Sequence, residues 1–309
     1  MLTLGLDTSN YATSLAVYNT GAAQFPVMLK QFLPVKPGQL GLRQSDAVFH
    51  HTTALPLLLE QLSKQINLKE LSAVGVSVKP RPVEGSYMPC FLAGRSIAVA
   101  LHTALGIPIC ETTHQQGHIA AALYAAGGDL YDSRVLVFHI SGGTTDLLLV
   151  DKLQVEKTVG SSQDLYAGQA VDRLGVLLGF GFPAGEAVSA LAASCNEPII
   201  PKVSVKEADC SLSGLQNQCE ALLKNGKTPA YTAKYCLLCV AETVVRMLQF
   251  AQSQYPGLPC VCAGGVMSSD LIRNYVTAKL PDVRFVPGKF SSDNAAGVAL
   301  LAARGGCNG

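Results

Sequence analysis

Leu2-Thr3-Leu4-Gly5-Leu6-Asp7-Thr8-Ser9-Asn10 opens the chain, and Val135-Leu136-Val137-Phe138-His139-Ile140-Ser141-Gly142-Gly143-Thr144 repeats its design in the middle. Each is an apolar run of strand length ending in small and hydroxyl residues. Each is followed by a second run, 13–18 and 146–151, so each predicts a β-hairpin. Two such units describe an internal repeat, one per lobe. Turns of this kind aim N–H groups and hydroxyls at one point, which suits phosphate. Either unit alone also describes an ordinary hairpin. Around them, helices are expected at 47–66, 93–105, 114–126, 168–178, 186–193, 212–224, 232–254, 270–279 and 294–303, and strands at 73–78, 107–110, 259–263 and 284–286. That alternation is α/β layering. The segment 107–110 reads as the crossing between lobes, so residues 1–105 with 288–309 form lobe I and 106–287 form lobe II.

The composition agrees with a folded α/β protein. Of 309 residues, 49% are hydrophobic and 15% charged, enough apolar surface for a sizeable core. A net charge of +1 is lower than a dedicated nucleic-acid binder usually carries, though a local basic face would leave the total unchanged. The N-terminus reads as a strand without a basic leader. The longest apolar run, 96–110, contains His102 and is broken by Pro108, so no membrane association is expected. Ten cysteines without a leader favour a reducing, cytoplasmic setting. Cys236-x-x-Cys239 and Cys260-x-Cys262 could be a zinc site, but they lie in a helical and a strand pattern and read as small core residues.

Three motifs carry chemistry. His114-Gln115-Gln116-Gly117-His118 opens a helix, and residues four apart share a face, so both imidazoles can reach one metal such as zinc or ferrous iron. The same spacing also describes two solvated histidines. Val261-Cys262-Ala263-Gly264-Gly265-Val266 ends a buried strand in paired glycines before a helix, a place where adenosine phosphates are favoured, and equally an ordinary tight turn. Ser291-Ser292-Asp293-Asn294-Ala295-Ala296-Gly297 places Asp293 before an Ala-rich helix, as an N-cap or a carboxylate ligand.

The order of these motifs resembles the TsaD family of tRNA threonylcarbamoyladenosine transferases over nearly the whole chain. Leu4-Gly5-Leu6-Asp7-Thr8-Ser9, the histidine pair, Ser141-Gly142-Gly143-x-Thr145, Gly181-Phe182-Pro183-x-Gly185, Ser211-Leu212-Ser213-Gly214-Leu215, Ala263-Gly264-Gly265-Val266 and Asp293-Asn294-Ala295 carry the resemblance. It implies the two-lobed actin/sugar-kinase/heat-shock ATPase (ASKHA, ribonuclease H-like) superfold, with nucleotide and metal in the interlobe cleft. It implies one divalent metal, zinc or iron, on His114, His118 and Asp293, with His139 matching a fourth ligand of some members. Asp7, Ser9 and Thr13 of the first hairpin are expected at the reaction centre as catalytic residues. An adenine nucleotide (ATP, AMP or an acyl-adenylate) is expected at Ser141, Gly142, Gly143, Thr145, Asp164, Gly168, Asp172, Gly185, Gly264 and Gly265. His50 looks like an early histidine of the family. The implied reaction moves a threonylcarbamoyl or related carbamoyl group from an adenylate to N6 of tRNA adenosine 37. The implied partners are tRNA and a TsaB-type subunit or a second copy.

The chain departs from the pattern near the acyl donor. Asn10-Tyr11-Ala12-Thr13 stands for Cys-Asp-Glu-Thr, and the Gly-Pro-Gly loop is Lys79-Pro80-Arg81-Pro82. Ser189, Ser269 and Thr144 replace a glutamate, an asparagine and a histidine. These changes describe a divergent paralogue. Two other readings follow: a non-catalytic nucleotide-binding partner in a tRNA-modification complex, or carbamoyl transfer to another acceptor. An endopeptidase reading fails because HxxxH lacks the glutamate of HExxH.

Overall fold

The computed structural model describes residues 1–9, 11–34, 42–291 and 295–305. They form two compact units, 1–125 with 295–305, and 126–291.

In the first unit, β1 (Leu2–Ser9), β2 (Ala12–Asn19) and β3 (Gln24–Phe32) form an antiparallel meander. Helix α1 (Gln44–Ser63) leads to β4 (Leu71–Lys79), α2 (Phe91–Leu105), β5 (Ile109–Thr113) and α3 (His114–Ala125). The sheet order is β3-β2-β1-β4-β5, with β1, β4 and β5 parallel. Side chains of directly paired residues point the same way and alternate along a strand. Gly5, Asp7 and Ser9 therefore face one side. There Gly5 lies against the C-terminal helix Ala296–Ala303, which also packs on α3. Thr8 and its partner Thr13 face the other side, toward α1 and α2.

The second unit repeats the arrangement with β6 (Arg134–Ile140), β7 (Thr145–Asp151) and β8 (Gln154–Ser161) as the meander. Helices α4 (Ala167–Leu177) and α5 (Gly185–Ala193), the hairpin β9 (Ser204–Lys206) and β10 (Asp209–Ser211), and helices α6 (Ser213–Lys224) and α7 (Pro229–Gln254) follow. Then come β11 (Cys260–Ala263), α8 (Asp270–Lys279) and β12 (Val283–Phe285). The sheet order β12-β11-β6-β7-β8, with β6, β11 and β12 parallel, matches the first sheet strand for strand. The repeat read from the two hairpins thus extends to whole sheets. Helix α7 is apolar on nearly every side because it lies in the core of this unit.

The boundary between units differs from the one expected at 105/106. Strand β5 pairs with β4, from Val74↔Ile109 to Lys79↔Thr113, and α3 packs on the C-terminal helix, so the crossing comes after Ala125. Short apolar stretches signal strands but not which sheet they join. Cys236, Cys239, Cys260 and Cys262 are buried free thiols, as core residues should be. Cys110 is disulfide-bonded, which departs from the expectation of reduced cysteines throughout. Among the described residues, no helix is long and apolar enough to cross a membrane.

Candidate active site

The first unit gathers its polar side chains at the carboxyl ends of β1 and β4, where open α/β sheets hold ligands. Asp7 is buried there, and its Oδ1 accepts a hydrogen bond from the Ser77 hydroxyl on β4. His114 Nδ1 lies 3.1 Å and 3.2 Å from the two Asp7 oxygens. A carboxylate can only accept, so His114 donates from Nδ1 and its Nε2 presents a lone pair. That Nε2 is 2.9 Å from His118 Nε2, which donates in turn.

Local sequence explains why the histidines stand where they do. Thr113 and Gln116 form a capping box at the start of α3: the Thr113 hydroxyl accepts from the Gln116 amide at 3.2 Å, and Gln116 Oε1 accepts from the Thr113 amide at 3.2 Å. This fixes His114 as the first helical residue, and His118 follows one turn later on the same face. Gly117 and Gly297 let α3 and the C-terminal helix approach closely. A Cβ on Gly297 would run into the Gly117 carbonyl.

The pair suits a divalent ion of borderline softness. Two imidazole Nε2 atoms converge on one point, and a carboxylate behind His114 fixes its tautomer, as around histidine metal ligands. Among the described residues no third ligand completes a metal-holding group. Asp293, the expected carboxylate ligand, lies outside the described residues. Asp7 acts from behind, through Nδ1. Burial, with Asp7 adding to it, pushes the nearby Cys90 thiol up to about 12, so it offers no thiolate.

Thr13 is not on the face of the histidine pair. Its hydroxyl is 2.7 Å from Nδ1 of His51, which is wholly buried on α1. Burial lowers the His51 pKa to about 4, with nearby Asp7 opposing the shift, so the ring is neutral at pH 7. His50, the expected early histidine, sits one residue earlier on α1 and is only partly covered. Ser77 and His51 were both missed by the sequence reading, since only non-local pairing brings them to Asp7 and Thr13.

In the second unit the Ser141–Gly143 turn is closed by Ser141 N–H donating to the Thr144 carbonyl at 2.9 Å. Ser141 Oγ and Thr144 Oγ1 lie 2.9 Å apart, and Thr144 Oγ1 is 3.0 Å from His139 Nδ1. His139 is buried on β6, in a different unit from the histidine pair. Open space lies above Gly142 and Gly143, while Gly168, at the start of α4, presses on the Ser141 carbonyl where a Cβ would clash. Gly264 has φ +103° and packs against the end of β6, leaving Gly265 exposed to open space. Open space also lies above Gly185 at the start of α5. The arrangement leaves room for an anion near the α4 N-terminus.

Three expected nucleotide residues are occupied with backbone. Thr145 is buried, and its hydroxyl accepts from the Ala167 amide at 2.9 Å. Asp164 Oδ1 accepts from the Leu165, Leu212 and Ser213 amides, joining the loop before α4 to the start of α6. Partial burial raises its pKa, but those hydrogen bonds and the Ser213 hydroxyl hold it below the usual range. Asp172 accepts from the Ala184 amide at 2.8 Å, and burial raises its carboxyl against that bond.

This fold is shared with ASKHA-type proteins. The chain superposes on the (R)-2-hydroxyglutaryl-CoA dehydratase component A of Acidaminococcus fermentans with TM-score 0.59 at 13% identity, covering all of both chains. It superposes on the ROK hexokinase of Thermus thermophilus with TM-score 0.51 at 15% identity, again covering all of both. The two units with matching sheets therefore define an ASKHA-type α/β protein. Within that class, residues 37–300 match the TsaD family, described as tRNA N6-adenosine threonylcarbamoyltransferase, and the chain belongs to that family of transferases. It is 28% identical to the tRNA N6-adenosine threonylcarbamoyltransferase of Streptococcus suis over 97% of this chain and 91% of that protein.

Proposed function

We propose that the chain transfers a threonylcarbamoyl group, or a close carbamoyl relative, from an adenylate to N6 of adenosine 37 in tRNA. Family membership gives the reaction class, and the convergence of His114 and His118 Nε2 atoms at 2.9 Å, backed by Asp7, is the single observation that carries the site. His114 and His118 would hold a divalent ion, with Asp293 as a further candidate. Bound there, such an ion supplies Lewis-acid polarisation of a phosphate or carbonyl oxygen. Asp7 keeps the His114 lone pair turned toward that point, and Ser77 keeps Asp7 in place. The Ser141–Gly143 turn, the start of α4 and Gly265 are where adenine nucleotide is expected, with the turn at phosphate and Gly265 against the base.

A TsaB-type subunit or a second copy is the expected protein partner. Tyr11 and Ala12 cannot pair with a substrate ammonium as carboxylates would, and Pro80 and Pro82 stiffen the loop after β4. Transfer by the isolated chain is therefore expected to be weak. The test supplies pre-formed threonylcarbamoyl-adenylate and unmodified tRNA, with and without a TsaB-type subunit. Modification of adenosine 37 only with the partner present is the expected result. No transfer under either condition would reject the reaction, and full activity of the chain alone would reject the partner requirement.

A further inference from the structure

The edge strand of the first sheet carries an aromatic ring that the fold leaves uncovered. Phe32, at the end of β3, is 66% exposed, and Lys30 Nζ lies 4.7 Å from its ring centroid. Register decides which side of the sheet they occupy. Asp7 pairs with Ser14 and Ser14 with Lys30, while Ser9 pairs with Ala12 and Ala12 with Phe32. Directly paired residues share a face, so Lys30 and Phe32 stand on the face of Asp7, where α3 carries the histidine pair. Two strand spacings, about 10 Å, separate β3 from β1. Tyr11, 37% exposed, lies at the same corner, its carbonyl accepting from the Leu33 amide at 2.9 Å. Between Asp7 and Asp46 the sequence has no acidic residue, and Asp7 is buried. The β1–β3 meander thus offers an anion a cation and no exposed carboxylate. A lone exposed aromatic is ordinary on a protein surface. This one is paired with a cation on the face of the reaction centre, the combination that binds single-stranded nucleic acid: a ring for a base and a cation for the backbone.

We propose that Phe32, with Lys30 beside it, is a stacking platform for an unpaired base of the tRNA anticodon loop next to adenosine 37, Lys30 meeting the backbone phosphate. The inference rests on tRNA as the acceptor, as read above. Stacking needs an unpaired base, because a base inside a duplex cannot reach the ring. Holding that neighbour splays the loop and leaves adenosine 37 to face the histidine pair. Phe32 and Lys30 touch a nucleotide that does not react, so they set affinity and loop specificity and take no part in the transfer.

The test is fluorescence anisotropy of the full chain with an unmodified anticodon stem-loop RNA, and with an RNA duplex lacking the loop, for wild type, Phe32→Leu, Phe32→Tyr and Lys30→Gln, alongside thermal melts. In a second set, 2-aminopurine replaces the base on either side of adenosine 37 and reports stacking by quenching. Phe32→Leu should melt near wild type, bind the stem-loop about tenfold more weakly and lose the quenching, while Phe32→Tyr keeps both. Duplex binding should be the same in Phe32→Leu and wild type. Lys30→Gln should flatten the slope of log affinity against log salt by about 0.7, one phosphate contact on a single strand. Equal stem-loop affinity in wild type and Phe32→Leu overturns the inference alone. So does a change in self-association, read by sedimentation, with RNA affinity unchanged, which would make Phe32 a protein contact. Wild type that binds no stem-loop, with or without a TsaB-type subunit, overturns the tRNA reading and this inference with it.

Discussion

Acidification should loosen the first unit through His51. In the unfolded chain this imidazole titrates near 6.5, whereas burial lowers it to about 4 in the fold. The folded state therefore resists protonation, and the unfolded state binds the extra proton between those values. The associated stability is fully present above pH 6.5 and is lost as pH falls toward 4. At about 1.4 kcal/mol for each tenfold in proton affinity, the gap amounts to at most about 3.5 kcal/mol. Carboxylates elsewhere add their own pH dependence, so the measurement is a difference. Urea unfolding of wild type and of the Thr13→Val, His51→Leu double variant is followed at several pH values from 7.5 to 4.5. The variant replaces both partners with apolar groups of similar shape, a change that can be nearly neutral at pH 7.5. Wild type should lose stability faster on acidification, with the two curves diverging below pH 6.5. Parallel curves would refute the claim that a buried, neutral His51 is part of the fold.

Gly297→Leu should be strongly destabilising, by about 3 kcal/mol or more, because its side chain would meet the Gly117 carbonyl; thermal melts check this, and a melt within a degree of wild type contradicts the close helix crossing. His118→Ala should remove most bound zinc or iron from metal-loaded protein, read by elemental analysis, and unchanged content would reject the histidine pair as a metal site. Gly265→Val should block AMP while leaving the melt near wild type, because open space surrounds that position; equal calorimetric affinity would place the base elsewhere. Asp7→Asn should reduce metal affinity about tenfold to a hundredfold by freeing the His114 tautomer, measured by competition with a chelator.

Local spacing made much of this protein legible. Histidines at i and i+4 of a helix must share a face, so His114 and His118 could be paired without a structure, and the Thr113-x-x-Gln116 capping box was available to confirm where that helix starts. Hairpins are local too, and two of the same design announced a duplicated α/β architecture. What sequence could not supply was everything set by contacts between distant segments. Ser77 reaches Asp7 only because β4 lies parallel to β1, and strand order is not written in either strand. Thr13 and His51 meet because α1 packs under one face of the sheet. Thr145 and Asp164 were expected at the nucleotide; in the fold the Thr145 hydroxyl accepts from the Ala167 amide, and Asp164 accepts from the Leu165, Leu212 and Ser213 amides and the Ser213 hydroxyl. A hydroxyl or carboxylate in a turn can serve a ligand or a chain end equally well, and only the folded chain shows which donors are already within reach.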